Sequence, residues 1–434
     1  MTPTASVAAA GTSPWICPFC PLACDDLEVQ VGAPDLALAL NRGSCPRASE
    51  SLSRISRAPG FVNDGAHNDG LRCDIATAIA AATRVLAASR QPLFAGLGTD
   101  VAGARALYPL ACALGAVCDC AGGDAFMQGV RALQDRGQFT TTLAEVRTRA
   151  DLIVFIGGLP GSVAPLTPQR CGITESRAAQ RHVVLLGPNP GDAVQLSECA
   201  APGVSCESIA LCGDLFDSVA LLAALVAQQS VRDAPETLRT LAARLRAARY
   251  AVLIGTPPSL PPQGSLIIET VHAIVNQLNR DTRAAALWVG GGNGAATANQ
   301  VFTWLSGLPL RSRAGPRGLE HEPLVYGAQS LLDDNAVDAL LWVSSFDAGA
   351  ASSAVAKTEL PMVVLGPPAL GAACRRPGAV FIPVATPGIG SAGHVFRTDG
   401  TVLMPLRALY EDRWPTVASV AQRILKALGA ERRL

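Results

Sequence analysis

Four cysteines near the N-terminus have the type and spacing of a metal-cluster ligand set. Residues 16–26 read ICPFCPLACDD, so Cys17, Cys20 and Cys24 follow a Cys-x2-Cys-x3-Cys pattern, and Cys45 lies farther along in GSCPRAS. Three thiolates in one short loop can bind one side of a 4Fe–4S cluster, and a fourth from a distant loop completes ligation by four cysteines. Zinc sites more often show paired Cys-x2-Cys knuckles. The other interpretation is that all four are buried free thiols, because cysteine packs like a small apolar side chain.

The other residues that could do chemistry show no comparable grouping. The histidines form no H-x-H or H-E-x-x-H pattern, which argues against a hydrolytic metal centre. Cys118 and Cys120 are close together, but nothing near them in the sequence completes a site. Gly-rich segments at 96–99 and 290–294 each follow a predicted strand, yet neither fits G-x-G-x-x-G with a downstream acid. A tight turn is therefore favoured over phosphate binding at both segments.

Length and composition limit the classes of protein to consider. A chain of 434 residues is long for one hydrophobic core, so more than one domain is expected. Hydrophobic residues make up 49% and charged residues only 16%, which indicates that partner subunits cover part of the surface. The 35 basic and 35 acidic residues balance, which argues against binding to nucleic acid or to an anionic membrane. Because there is neither an export signal nor an apolar run of about 18 residues, we expect a cytoplasmic protein.

The periodicity of the apolar residues predicts an α/β fold. From residue 71 onward, short runs of Val, Ile and Leu alternate with longer Ala- and Leu-rich segments of helical period, as in parallel sheets. Predicted strands lie at 93–95, 152–156, 183–186, 251–254, 286–289, 339–343, 363–365 and 380–383. Predicted helices lie at 75–88, 102–113, 215–228, 235–247 and 266–278. The irregular segment 190–212 and the polar segment 311–323 are expected to be surface loops, and residues 1–13 a flexible arm.

Two further segments limit the protein families that this sequence can resemble. Residues 299–309 read NQVFTWLSGLP, and residues 383–400 read PVATPGIGSAGHVFRTDG. Together with the cysteine segment and the strand–helix repeats that follow it, they resemble the molybdopterin oxidoreductases. The most specific resemblance is to the B subunit of formylmethanofuran dehydrogenase and to its homologue in the formyltransferase/hydrolase complex of methylotrophic bacteria. This resemblance covers roughly residues 15–408.

The resemblance implies a particular domain organisation. It implies a small cysteine-rich domain of iron–sulfur type at 1–60, an α/β domain built from 61–135 and 285–408, an inserted α/β domain at 136–284, and a C-terminal helix in 409–434. Both α/β domains would be Rossmann-like, as in the molybdopterin oxidoreductases. The chain has no room for the C-terminal pterin-binding β-domain of long family members, which in the dehydrogenase is a separate subunit.

The departures from the redox members concern the residues that would do the chemistry. Those enzymes have a Cys or selenocysteine ligand for Mo or W, followed by His, and the alignment puts Ala125 and Phe126 at these positions. Cys118 and Cys120 lie several residues too early. A second stretch of the dehydrogenase resembles Arg-Gly-His, whereas this chain has glycine at 290–292. Formate-level hydride chemistry needs a thiolate on the metal and a cation for the carboxylate. Neither molybdopterin nor Mo or W is therefore expected, and no catalytic residue is assigned.

The resemblance then implies a non-redox structural subunit of a formyltransferase/hydrolase complex in one-carbon metabolism, on the way from formaldehyde to formate. Formyl transfer and hydrolysis would belong to the partners, which are an amidohydrolase-like A subunit, a C subunit and a formyltransferase D subunit. The alternative is an active molybdopterin- or tungstopterin-dependent formylmethanofuran dehydrogenase subunit. In the first case Cys17, Cys20, Cys24 and Cys45 are an ancestral 4Fe–4S site, and the sequence leaves its occupancy open.

Overall fold

Strands and helices alternate along most of the chain, as an α/β fold requires. The computed structural model describes residues 12–32, 37–55, 65–176, 180–347 and 358–431. In chain order the strands are β1 (Thr12–Trp15), β2 (Leu27–Gly32), β3 (Ala37–Arg42), β4 (Ala66–Asn68), β5 (Leu71–Cys73), β6 (Pro92–Gly98), β7 (Val117–Cys118), β8 (Leu152–Ile156), β9 (Arg181–Leu186), β10 (Val204–Ile209), β11 (Tyr250–Gly255), β12 (Arg283–Trp288), β13 (Ser312–Gly315), β14 (Gly318–His321), β15 (Ala339–Ser344), β16 (Met362–Gly366), β17 (Ala379–Pro383), β18 (Gly393–Phe396) and β19 (Leu403–Leu406). The α-helices are α1 (Pro46–Ile55), α2 (Ile75–Ala88), α3 (Val101–Leu114), α4 (Gly123–Arg136), α5 (Leu143–Arg149), α6 (Thr167–Arg170), α7 (Asp192–Cys199), α8 (Leu215–Val226), α9 (Glu236–Ala247), α10 (Gly264–Leu278), α11 (Ala295–Ser306), α12 (Ala328–Asp333) and α13 (Val417–Glu431). None of the helices in these five ranges is long and apolar enough to cross a membrane.

A nine-stranded sheet organises the first of two compact units, which comprises the described residues of Met1–Gly123 and Gly291–Leu434. Its strand order is β14-β13-β7-β6-β15-β16-β17-β4-β5. The five strands from β7 to β17 in this order run parallel, and antiparallel strands complete both edges. The central strands β6 (PLFAGLG) and β15 (ALLWVS) are buried along their whole length, because both faces of the sheet are covered.

Two small antiparallel sheets belong to the same unit, one with strands on both sides of the first three cysteines and one whose first strand lies within residues 383–400. The order β1-β2-β3 forms one sheet, so the chain between the third and fourth cysteine of the candidate cluster site contains a β-hairpin. Strands β18 and β19 form the other, with Val395, Met404 and Leu406 packed into a small core. The loop with Cys17, Cys20 and Cys24 therefore begins and ends on regular strands, and the loop with Cys45 joins β3 to α1.

The described residues of Asp124–Gly290 form the second compact unit around five parallel strands in the order β10-β9-β8-β11-β12. Side chains of α8, α9 and α10, among them Leu222, Leu241 and Val271, pack with strand residues such as Val154 and Leu253 in one apolar core. Five parallel strands joined by helices need this cover, because both faces of such a sheet are apolar.

Local capping signals explain where several helices begin and end. The Asp74 carboxylate accepts the Thr77 N–H at 2.7 Å at the start of α2, and the Asp100 carboxylate accepts the Gly103 N–H at 3.0 Å at the start of α3. Gly115 caps the C-terminus of α3 with φ 65°, a left-handed backbone conformation that favours glycine at this position. These caps satisfy backbone groups that the helix itself leaves unpaired.

The predicted strands all overlap observed ones, and the predicted helices correspond to α2, α3, α8, α9 and α10. The loop prediction for 190–212 is wrong, because the segment contains α7 and β10. The loop prediction for 311–323 is also wrong, because the segment forms the β13–β14 hairpin. Both β10 and β14 are edge strands, and edge strands carry polar residues that hide the apolar alternation. Of the predicted arm, residues 1–11 lie outside the described residues, and the domain limits inferred above stay a prediction.

Candidate functional site

The four cysteines predicted as cluster ligands lie in two loops that flank the three-stranded sheet of the first unit. Cys17, Cys20 and Cys24 lie between β1 and β2, and Cys45 lies between β3 and α1. All four side chains are buried. The Cys17 N–H donates to the Cys24 carbonyl at 2.9 Å, and Ala23 adopts φ 43° within the same loop. The loop therefore holds its three thiols in one closed, buried turn.

The thiols influence one another electrostatically, so the two loops bring them close together. Burial and the neighbouring Cys20 raise the pKa of Cys17 well above its usual value. Burial also raises the pKa of Cys45, and Cys20 adds to this effect. A hydrogen bond with Cys24, helped by the charge of Arg47, lowers the pKa of Cys20 to about 7. These neighbours favour the thiolate form of Cys20, which is the form that binds metals.

Hydrogen bonds fix the cysteine loop to the rest of the first unit. Arg47 Nε donates at 2.7 Å to a backbone carbonyl of the loop. Trp15 Nε1 donates to the Gly388 carbonyl at 2.8 Å, and the Thr398 N–H donates to the Pro21 carbonyl at 2.8 Å. Gly388 and Thr398 both belong to the second family-specific segment. The cysteine segment and that segment are thus two parts of one local structure.

The donor set fits an iron–sulfur cluster in kind and number. Within the described ranges, no three His, Cys, Asp or Glu side chains are grouped so that they could hold a single metal ion. A 4Fe–4S cluster binds each cysteine to a different iron, so its ligands do not have to meet at one point. The four buried thiols match such a ligand set in kind and number. The assignment of Cys17, Cys20, Cys24 and Cys45 as cluster ligands stays a prediction.

The position expected for a Mo or W ligand holds no thiolate. Cys118 ends β7, its Sγ lies 3.7 Å from the Ala116 carbonyl oxygen, and burial strongly raises its pKa, so it is a neutral thiol. Cys120 is buried just beyond the strand. Ala125 and Phe126 lie in the first turn of α4 and offer no ligand atom in their side chains. These residues do not fit a Mo or W site.

Asp119, which lies between these two cysteines, forms a buried ion pair that the sequence did not reveal. Arg311 Nη2 lies 3.3 Å from Asp119 Oδ2, and both side chains are almost fully buried. The carboxylate also accepts the Ala328 N–H at 2.8 Å and the Cys120 N–H at 2.9 Å. Burial raises the pKa of Asp119, and Arg311 counteracts this effect. The pair fixes the loop after β7 to the β13–β14 hairpin, and no local sequence signal could have found it.

The glycine loop before α11 lies directly against the cysteine loop. A Cβ atom added to Gly292 would lie 3.1 Å from Cδ of Pro21, which is closer than ordinary van der Waals contact. Gly294 precedes α11 with φ 75°, and a Cβ there would lie 2.6 Å from the Thr99 nitrogen. The Pro21 ring of the cysteine loop therefore packs against Gly292, where the redox relatives are expected to carry Arg-Gly-His, and a larger side chain at this position would require that ring to shift.

Comparisons with known proteins agree with these features. No protein-family model matches the chain. The B subunit of the formyltransferase/hydrolase complex Fhc from Methylorubrum extorquens is 30% identical over 285 residues, which cover 64% of this chain and 74% of that protein. The B subunit of the tungsten-containing formylmethanofuran dehydrogenase 2 from Methanocaldococcus jannaschii is 25% identical over 410 residues, covering 89% of this chain and 91% of that protein. The protein of the same name from Methanococcus maripaludis is 25% identical over 415 residues, with the same coverage of both chains.

Among solved structures, the fold matches a chain of the formyltransferase/hydrolase complex FhcABCD from Methylorubrum extorquens, crystallised in complex with methylofuran. The TM-score is 0.74 at 27% identity, covering 85% of this chain and 100% of that chain. Fold and site together define an α/β protein of the class found as subunits of such multi-subunit enzymes. The identity to the Methylorubrum protein over most of its length shows that the chain belongs to the B-subunit family of formylmethanofuran dehydrogenase, which includes the B subunit of the formyltransferase/hydrolase complex. The family predicted from the sequence segments is confirmed.

Proposed function

We propose that this chain is a non-redox structural subunit of a formyltransferase/hydrolase complex in one-carbon metabolism. The relationship to the B subunit of the Methylorubrum complex and the match to a chain of FhcABCD support this proposal. Its partners would be an amidohydrolase-like A subunit, a C subunit and a formyltransferase D subunit. Formyl transfer and formyl hydrolysis are carried out by these partners, and this chain holds them in one assembly.

The contact between Gly292 and Pro21 is the observation that carries the proposal. A Cβ added to Gly292 would lie 3.1 Å from the nearest proline carbon, so the cysteine loop packs closely against this glycine, and glycine supplies no cation of the kind that a formate-level redox site requires. Ala125 and Phe126 support the same conclusion, because a soft metal needs a thiolate ligand and neither side chain offers a ligand atom. Close packing of this kind supports a structural role for the region.

The cysteines form the second part of the proposal. We assign Cys17, Cys20, Cys24 and Cys45 as the ligands of an ancestral 4Fe–4S site, and molybdopterin, Mo and W as absent from the protein. A bound cluster would exchange single electrons. The burial of the four thiols and the lowered pKa of Cys20 support the ligand assignment, and iron analysis decides the occupancy.

The proposal includes the architecture of a molybdopterin oxidoreductase without its C-terminal pterin-binding β-domain. The cysteine-rich domain would span 1–60, and the inserted Rossmann-like domain 136–284, within an α/β domain built from 61–135 and 285–408. A five-stranded parallel sheet and a nine-stranded sheet with five parallel central strands support this organisation. The assembly would work in the cytoplasm, where reducing conditions keep cysteines as thiols or metal ligands.

One observation favours the second candidate, an active molybdopterin- or tungstopterin-dependent formylmethanofuran dehydrogenase subunit. The tungsten-containing relatives align over 89% of this chain, which is more than the 64% that the Methylorubrum protein covers. Such a role would require a metal ligand outside the aligned positions. The two candidates therefore differ in a measurable property, the metal content of the assembled protein.

Purification of the full chain together with its partner subunits tests the proposal. We expect the chain to copurify in fixed stoichiometry, with no stoichiometric Mo, W or pterin by elemental and fluorescence analysis, and formyl transfer to depend on the partners. Stoichiometric Mo or W with bound pterin would exclude the structural role and establish the dehydrogenase. Failure to copurify with any subunit would refute both candidates.

A further inference from the structure

Trp304 exposes more than half of its surface at the end of α11. The residue is 55% exposed, and its neighbour Leu305 is 44% exposed. Both belong to NQVFTWLSGLP, the first of the two family-specific segments. An exposed leucine is ordinary, but tryptophan is highly buried on average. The end of α11 therefore carries apolar surface that the described residues of the first unit do not cover.

The hairpin of β18 and β19 extends this surface. The rings of Trp304 and Phe396 meet edge to face, with centroids 5.4 Å apart. Phe396 pairs across the hairpin with Leu403, which is 43% exposed, while Val395 and Met404 on the alternate face are buried. Alternation along a strand places Phe396 and Leu403 together on the outer face. Trp304, Phe396 and Leu403 thus form one continuous apolar surface, which we call the Trp304 patch.

The two chain segments that form the Trp304 patch carry very little exposed charge. The sequence contains no Asp, Glu, Lys or Arg from residue 284 to residue 310. In the hairpin turn, Arg397 and Asp399 are buried and bind each other at 2.6 Å, so neither charge faces outward. The exposed Arg407 comes only after the end of β19. Nucleic acids and anionic lipids bind through clusters of exposed basic groups, and neither residues 284–310 nor the β18–β19 hairpin provide such a cluster.

An uncharged surface with an aromatic anchor has the composition of a protein–protein interface core. Such cores are depleted in charged residues and enriched in Trp, Tyr and Phe, and a few anchors supply most of the binding energy. Charge complementarity then requires an equally uncharged, apolar face on the partner, because an uncompensated charge would lose its hydration on docking. Both family-specific segments contribute to the patch, through Trp304 and Phe396.

We propose that the Trp304 patch is the docking surface for an apolar face of another subunit of the formyltransferase/hydrolase complex, with Trp304 as its anchor. This inference rests on the proposed function and adds to it the place where assembly occurs. A second copy of this chain and a lipid bilayer are the competing occupants, and each gives a different experimental result.

Hydroxyl-radical footprinting of the full chain, alone and in the purified complex, tests the proposal without a substitution. We expect the oxidation rate of Trp304 to fall at least about fivefold on assembly, since an interface core excludes solvent. In parallel, the variant Trp304→Ser should bind the partner subunits at least about thirtyfold more weakly, as loss of an anchor residue predicts. The matched control Trp304→Phe keeps an apolar ring and should bind within about threefold of the wild type.

The outcomes separate the docking surface from the proposed function. An unchanged oxidation rate of Trp304 in an assembled complex overturns the docking surface and leaves the proposed function intact, whereas a chain that does not assemble overturns the proposed function itself. Self-association of the chain alone that Trp304→Ser abolishes would assign the patch to a second copy. Binding to neutral vesicles that the same change abolishes would assign it to a bilayer. If Trp304→Ser fails to fold, as circular dichroism would show, the footprint of the wild-type protein decides.

Discussion

Acidification should destabilise the second unit through one buried histidine, His272 in α10. The Phe139 N–H lies 3.2 Å from His272 Nδ1, and Trp288 Nε1 lies 3.0 Å from His272 Nε2. A neutral imidazole can accept a hydrogen bond from one of these two donors, whereas a protonated ring can accept from neither, because both of its nitrogens then carry hydrogen. Burial lowers the pKa of His272 to about 4. The folded protein accordingly holds this side chain in its neutral form.

The difference between the pKa of His272 in the unfolded and in the folded chain determines how much stability is lost on acidification. An exposed histidine in the unfolded chain titrates near pH 6.5. Between this pH and about 4, the unfolded chain binds a proton that the folded chain does not, so the stability of the fold declines as the pH falls. The free energy of unfolding should decrease by roughly 2–3 kcal/mol between pH 7.5 and pH 4.5 from this residue alone. Below about pH 4 both states are protonated and this contribution no longer changes.

Urea unfolding of the wild type and of His272→Asn, at pH 7.5 and at pH 4.5, isolates this contribution. Hydrogen exchange of the α10 peptide reports the second unit specifically. Other groups titrate equally in both proteins, so the wild type should lose roughly 2–3 kcal/mol more than the variant. An equal loss in the two proteins would refute the argument, because it would mean that His272 titrates normally in the folded state.

Three further sets of substitutions test the residues of the candidate functional site. Gly292→Val should lower the free energy of unfolding by about 1–3 kcal/mol while leaving the formyl-transfer rate per assembled complex unchanged; a selective loss of rate in an intact complex would contradict the structural role. Arg311→Met leaves the Asp119 carboxylate buried without its cation and should destabilise the protein by about 3–5 kcal/mol in urea unfolding, and adding Asp119→Asn should restore much of it; no recovery in the double variant would argue against the ion pair. If iron is bound, Cys17→Ser should remove the iron and its visible absorbance, whereas Cys206→Ser, at an exposed thiol, should retain both; equal iron content in the two variants would exclude Cys17 as a ligand.

The fold illustrates which elements a single sequence can reveal. Strands such as β8 (LIVFI) and β17 (AVFIP) are buried along their whole length, so their apolar composition predicts them directly. Strand β10 (VSCESI) lies at a sheet edge with mostly exposed side chains, and its polar residues conceal it. A strand that is buried on both faces is therefore recognisable from its apolar sequence, whereas a strand at the edge of a sheet is not.

The residues of the candidate site likewise include some that a local sequence pattern reveals and some whose contacts only the tertiary structure shows. The spacing of Cys17, Cys20 and Cys24 is a local pattern, and so are the two segments that identify the family, because ligands on one loop and side chains on one helix need only short-range order. The contacts that give these residues their roles join distant parts of the chain, such as Gly292 against Pro21 and Trp304 against Phe396. The sequence by itself predicted the ligand set and identified the family. Only the tertiary structure decided that Gly292 packs against Pro21 and that Trp304 stays exposed, because side-chain packing depends on neighbours that no local pattern specifies.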